Sequence, residues 1–153
     1  MILKDTVQIK SSPENVWSFI EDPERMKSWN PKIQRISSIS WGARSIGYRY
    51  RITYAMRNKT SEFLAEIIEY RKPEKLVIRL TEGNLSQGSY ICEIYQLSRT
   101  AEGTLVEQTI EINNSRINIF FRLMIAFIYR FGKPTGQKYL EKLKELVETS
   151  SSG

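Results

Sequence analysis

The sequence predicts an α+β domain: one strand, two short helices, a meander of six antiparallel strands and a long C-terminal helix. Three observations carry this. Two helix starts built on Ser/Asp-Pro-Glu follow one another between residues 12 and 24. From residue 33 the apolar period changes from about 3.6 to about 2, and the links between segments shorten to a few turn-forming residues. The stretch 116–149 then returns to a helical period.

Residues 2–10 (ILKDTVQIK) are short and β-rich. In Ser11-Ser12-Pro13-Glu14, Ser12 can accept from the free N–H groups of a first turn. Pro13 suits the first helical position because it has no N–H to lose, and Glu14 favours the positive helix end. Val16, Trp17, Phe19 and Ile20 form the apolar face. Asp22-Pro23-Glu24 repeats the punctuation for a second short helix with Met26 and Trp29 inward, and Asn30-Pro31 ends it. Alternation then predicts strands over 33–40, 46–57, 60–71, 75–82, 88–99 and 104–113. Links as short as Lys72-Pro73-Glu74 and Ala101-Glu102-Gly103 suit hairpins, since parallel crossovers need a dozen residues or more. A straight helix over 116–149 would run about 51 Å, too long for a chain with a radius of gyration near 15 Å. Gly132 and Pro134 supply a break. Tyr139, Leu140, Leu143, Leu146 and Val147 form the inner stripe beyond it. The organisation is a single domain over 1–149 with a 150–153 tail.

Composition closes off much chemistry. There is no His among the 153 residues, so no Ser-His-Asp or Cys-His nucleophile system and no HExxH zinc site can exist. Cys92 stands alone, which excludes an intramolecular disulfide or a thiolate metal cluster. No metal site and no cofactor is expected. The 23 Lys and Arg against 17 Asp and Glu leave a net charge of +6, but the basic residues are scattered, as on a solvated surface. The N-terminus lacks a signal-peptide layout, so a cytoplasmic location is expected.

Several motifs resemble one family. They are Ser12-Pro13-Glu14-Asn15-Val16-Trp17 with Asp22-Pro23-Glu24 and Trp29-Asn30-Pro31, then Ile46-Gly47, Tyr70-Arg71-Lys72-Pro73-Glu74-Lys75-Leu76, Gly103-Thr104 and Tyr139-Leu140-Glu141-Lys142-Leu143-Lys144. Their order is similar to the START-like, or SRPBCC, superfamily, in its polyketide cyclase/dehydrase-like branch. The resemblance implies a helix-grip fold: a curved antiparallel sheet of about seven strands wrapped around the long C-terminal helix. It also implies an intervening cavity that often binds an apolar small molecule. It carries over no catalytic residue, because the members share a scaffold rather than a catalytic signature.

Between Gly47 and Arg57, Tyr48, Tyr50, Ile52, Tyr54 and Met56 share one strand face, and Arg49, Arg51 and Arg57 the other. The tyrosines read either as core or as cavity walls, where a phenol offers an apolar ring and one hydroxyl to a ligand. Nucleic acid is not expected, because alternation separates the rings from the arginines. In 117–131, Asn118, Arg122 and Arg130 lie near one narrow stripe of an otherwise apolar helix, too short to span a bilayer. It reads as core, as a cavity lid through Phe120, Phe121, Met124 and Phe127, or as a contact with an anionic membrane or a second subunit through Arg122 and Arg130. Gln108, alternating with Val106 and Ile110, is a polar cavity candidate or an edge amide facing solvent. Of the strand carboxylates Glu62, Glu66, Glu69, Glu93, Glu107 and Glu111, most should point outward, and one that did not would need a partner or a raised pKa. The ligand-lining candidates are therefore Tyr48, Tyr50, Tyr54, Gln108, Phe120, Phe121, Met124 and Phe127. The expected function is binding or transport of a hydrophobic small molecule such as a lipid, isoprenoid or polyketide-like compound. A cyclase/dehydrase-like enzyme working without His, and an interaction module at a membrane or protein surface, are the alternatives.

Overall fold

The structure, a computed structural model, describes residues 2–56, 58–113 and 138–151. Seven strands form one antiparallel sheet: β1 (Ile2–Ile9), β2 (Ile33–Ser38), β3 (Arg49–Met56), β4 (Lys59–Arg71), β5 (Lys75–Thr81), β6 (Tyr90–Thr100) and β7 (Gly103–Asn113). Their spatial order is β1-β7-β6-β5-β4-β3-β2, so β2 to β7 run as the meander that the short links require, and β1 closes on the last strand. Helices α1 (Pro13–Ile20) and α2 (Pro23–Trp29) fill the β1–β2 connection, and α3 (Lys138–Ser151) is the C-terminal helix. This is the helix-grip arrangement. The predicted helical stretch 116–137, with its Gly132 and Pro134 break, lies outside the described residues.

The helix starts form as their residues dictate. The Ser12 hydroxyl accepts from the Asn15 N–H at 3.2 Å, and the Asp22 carboxylate accepts from the Glu24 N–H at 3.0 Å, with Pro13 and Pro23 next in line. Helix α3 packs against β1, α1 and α2, and buries Leu140, Leu143 and Val147. It continues through Ser151, past the end at 149 that the pattern predicts. Trp17 and Trp29 are wholly buried core residues. At the β6–β7 turn, Gly103 (φ +137°) has no room for a Cβ, which would lie 2.2 Å from the Ile9 carbonyl oxygen, while the Thr104 hydroxyl donates to the Ser11 carbonyl at 2.7 Å. The Gly103-Thr104 pair thus seats the turn against the β1–α1 junction.

Strand alternation divides the sheet into two chemical faces. The outer face is laced by cross-strand ion pairs, including Arg35–Glu62 (3.2 Å), Arg79–Glu66 (3.5 Å) and Lys4–Glu107 (3.6 Å), with Arg49 and Arg51 on this side as the pattern predicts. The inner face carries the core, with Ile52, Phe63, Ala65, Ile67, Leu76, Ile78, Leu80, Ile91 and Val106 buried on it.

Candidate functional site

On this apolar inner face sits one buried carboxylate among the described residues, Glu93, 7% exposed. Its cross-strand neighbours are Ile78 on β5 and Ile110 on β7, and the next inward positions along β6 are Ile91 and Tyr95. The partners that hold it are phenols. The Tyr54 hydroxyl donates to Glu93 Oε1 at 2.8 Å, and the Tyr95 hydroxyl also bonds to the carboxyl. Gln108 Nε2 in turn donates to the Tyr95 oxygen at 3.0 Å, which leaves the Tyr95 proton to point at Glu93. The result is a chain running from amide to phenol to carboxyl, with a second phenol meeting that carboxyl from the far side.

The Tyr54–Glu93 contact measures the curvature of the sheet. Along the register, Glu93 shares a row with Ile78, Ile67 and Tyr48, so Tyr54 lies six residues further along β3 and three strands away. In a flat sheet that is about 20 Å along the strands and about 14 Å across them. Only a strongly curled sheet brings the two groups within hydrogen-bond distance, so their bond crosses the concavity. Tyr95 is held from another side, its ring edge-on to Trp29 with centroids 6.2 Å apart.

Burial dominates the electrostatics. It pushes the Glu93 carboxyl above its ordinary pKa, against the opposing pull of the Tyr54 and Tyr95 hydrogen bonds and the charge of Lys32. The Lys32 ammonium moves down, because burial there outweighs the attraction of Glu93. The Tyr50 and Tyr54 phenols move up, through burial first and the neighbouring Glu93 charge second. Each group is thereby pushed toward its neutral form.

The structure brings four of the sequence candidates onto this face. Tyr48 and Tyr50 are buried, Tyr54 is half-buried and Gln108 is buried on β7 beside Tyr95, not a solvent-facing edge amide. The Tyr48 hydroxyl donates to Ser38 at 3.1 Å, and its ring lies under the Arg44 guanidinium. Phe120, Phe121, Met124, Phe127, Arg122 and Arg130 lie outside the described residues. Tyr95 and Lys32 were not among the candidates. Tyr95 shares Gln108's inward register, whereas Lys32 sits on an irregular approach to β2 that no period marks. Of the strand carboxylates weighed together, only the fold separates Glu93 from the ion-paired Glu62, Glu66, Glu69 and Glu107.

A separate open groove of about 460 Å³ lies between the α1 start, the β4–β5 turn and β6. Of its charged groups, Arg99 pairs with Glu14 (3.1 Å), and Lys75 and Arg71 both pair with Glu69 (3.0 Å each). Among the described residues no three His, Cys, Asp or Glu side chains are grouped to hold a metal ion, and no helix is long and apolar enough to cross a membrane.

Comparison with known proteins agrees with this architecture. Residues 2–148 match the family described as polyketide cyclase / dehydrase and lipid transport. The chain belongs to that family. Among solved structures it is similar to the protein TTHA0849 from Thermus thermophilus, at 19% identity over 99% of both chains with a TM-score of 0.77. It is also similar to a START superfamily protein from Mycobacterium smegmatis, at 15% identity over 97% of this chain and 98% of that one, TM-score 0.72. Ginseng major latex-like protein 151 from Panax ginseng follows at 16% identity over 98% and 96%, TM-score 0.67. At these identities the likeness concerns the fold. No curated protein matches the chain.

Proposed function

We propose that this member of the polyketide cyclase / dehydrase and lipid transport family binds a hydrophobic small molecule with one hydrogen-bonding end, held between the concave sheet face and the C-terminal helix. The observation that carries this reading is the Glu93 carboxyl, kept on an apolar surface and held by phenols from two strands, Tyr54 and Tyr95. Apolar burial at about 25 cal/mol per Å² supplies affinity, and a few polar groups select the ligand. Tyr48 and Tyr50 offer ring surface on the same face, and the sequence adds Phe120, Phe121, Met124 and Phe127 as apolar lining. Native mass spectrometry with organic extraction of the purified protein tests this, followed by titration with a lipid and isoprenoid-quinone panel. We expect a stoichiometric apolar compound whose affinity falls about tenfold in Glu93→Gln, a loss of about 1.4 kcal/mol, with the fold intact. An empty protein that ignores the panel, or unchanged affinity in that variant, would overturn the reading.

One observation favours a second reading, a cyclase/dehydrase-like enzyme. A carboxyl whose pKa is raised by burial, held by hydrogen bonds to two phenols, is an environment suited to proton transfer without histidine. That reading requires turnover of a poly-β-ketone chain that disappears in Glu93→Gln while binding persists.

A further inference from the structure

The described residues leave five large apolar side chains exposed, and three of them belong to the link between β2 and β3: Trp41 at 96%, Ile46 at 67% and Ile39 at 46%. The contrast with the other tryptophans is complete, since Trp17 and Trp29 are at 0%. The exposure is built rather than loose. At its base the link is fastened by the Ile39 and Ser40 N–H groups on the Arg49 carbonyl (3.1 and 3.0 Å), the Gly47 N–H on the Ile67 carbonyl (2.8 Å) and Arg44 on the Asp22 carboxylate (3.0 Å). At its tip Gly42 takes φ +88° with open space around it, so the indole projects away from a fixed platform.

Size and charge decide what such a tip fits. One indole and two isoleucines offer a few hundred Å² at most, whereas a stable protein interface takes about 800 Å² from each partner. An indole needs no such area at a bilayer surface, where its apolar ring and N–H suit headgroup depth. From Ile39 to Gly47 there is no carboxylate and the only charge, Arg44, is paired with Asp22, so any preference for an anionic leaflet comes from the +6 of the whole chain. The flanking Arg35 and Arg49 face Glu62 and Glu66, so the local field is modest and the apolar tip supplies most of the attachment. We infer that the β2–β3 link is a membrane-docking tip, with Trp41 and Ile46 entering the interface of an anionic lipid surface. Arg44 also packs over the ring of Tyr48, so this contact sits at one rim of the concave face.

Co-sedimentation of the full chain with phosphatidylcholine vesicles, with and without phosphatidylglycerol, tests the inference alongside quenching of tryptophan emission by acyl-chain-brominated lipid. We expect binding that strengthens with phosphatidylglycerol, quenching and a blue shift arising from Trp41, and at least an about tenfold loss of binding in Trp41→Ala with Ile46→Ser. Both side chains are solvent-exposed, and an unchanged circular dichroism spectrum verifies that the variant folds. Absence of vesicle binding would overturn the inference, as would binding that survives this variant but disappears in Arg122→Ala with Arg130→Ala. A concentration-dependent dimer abolished by Trp41→Ala, without vesicle binding, would assign the tip to a second copy of the chain instead.

Discussion

Glu21, at the C-terminal end of α1, and Glu93, inside the curl of the sheet, are both held by tyrosine hydroxyls, yet their acidities move in opposite directions. Glu21 receives the Tyr70 hydroxyl at 2.5 Å, the Trp17 indole N–H at 2.8 Å and the Lys72 ammonium at 3.3 Å. Burial raises its pKa, but these three donors together outweigh that and bring the carboxyl below its ordinary value. Glu93 has two phenols and the attraction of the Lys32 charge, and there burial wins. Depth sets the balance: at Glu21, still partly open to water, the Tyr70 and Trp17 hydrogen bonds, followed by Lys72, outweigh the cost of burial, whereas at the more deeply buried Glu93 two phenols do not. Glu21 is accordingly a clamp, fastening α1 to the β4–β5 turn, and Glu93 is a poised group on an apolar wall.

The largest expected effect comes from breaking the clamp. Glu21→Ala strands the Trp17 and Tyr70 donors and should cost about 2–3 kcal/mol in urea denaturation. Glu93→Gln, which keeps an acceptor for one phenol, should stay within about 1 kcal/mol of the parent chain at acidic pH. A parent-like response to Glu21→Ala would erase the structural half of the comparison.

The two carboxyls also separate along the pH axis. Because folding lowers the Glu21 pKa, its contribution is present above the ordinary carboxylate range and disappears as pH falls through the depressed folded value. Because folding raises the Glu93 pKa, its contribution is present below the ordinary range and disappears as pH rises through the raised folded value. Stability measured against pH should therefore lose part of its acid limb in Glu21→Gln, while Glu93→Gln gains on the parent chain as pH rises. Slopes of the reverse sign would refute the assignment. The smallest effect is expected from Tyr54→Phe, about 0.5–1 kcal/mol, together with a further rise of the Glu93 pKa visible by carboxyl NMR. A fall would show that the phenol does not stabilise the charged form.

Local chemistry left most of the architecture legible. Ser12-Pro13-Glu14 and Asp22-Pro23-Glu24 start helices because each supplies a cap, a residue with no N–H to lose and a carboxylate for the helix dipole, all within one turn. The period-2 run from Ile33 to Asn113 with its short links admits little but a meander. Alternation also put Tyr48, Tyr50 and Ile52 on one face and Arg49 and Arg51 on the other, because side chains of a strand must change sides at each residue.

What the sequence could not express was distance between strands that are not neighbours. Glu93 and Glu111 look alike in a strand pattern, and only the register shows Glu93 between Ile78 and Ile110 on the inner face while Glu111 is exposed. The link from Tyr54 to Glu93 depends on how far the sheet curls, the sum of many small twists and bulges such as those at Ile33/Arg35 and Ile67/Glu69. Trp41, too, reads in sequence as one more apolar residue before a glycine, and its exposure follows from the way Arg44, Arg49 and Ile67 anchor the link around it. Caps, breakers and periods act within a few residues, so the elements and their order follow from the chain's local chemistry. Burial is set by everything that packs around a group, so which carboxylate is enclosed and which tryptophan is left out follow from the assembled fold.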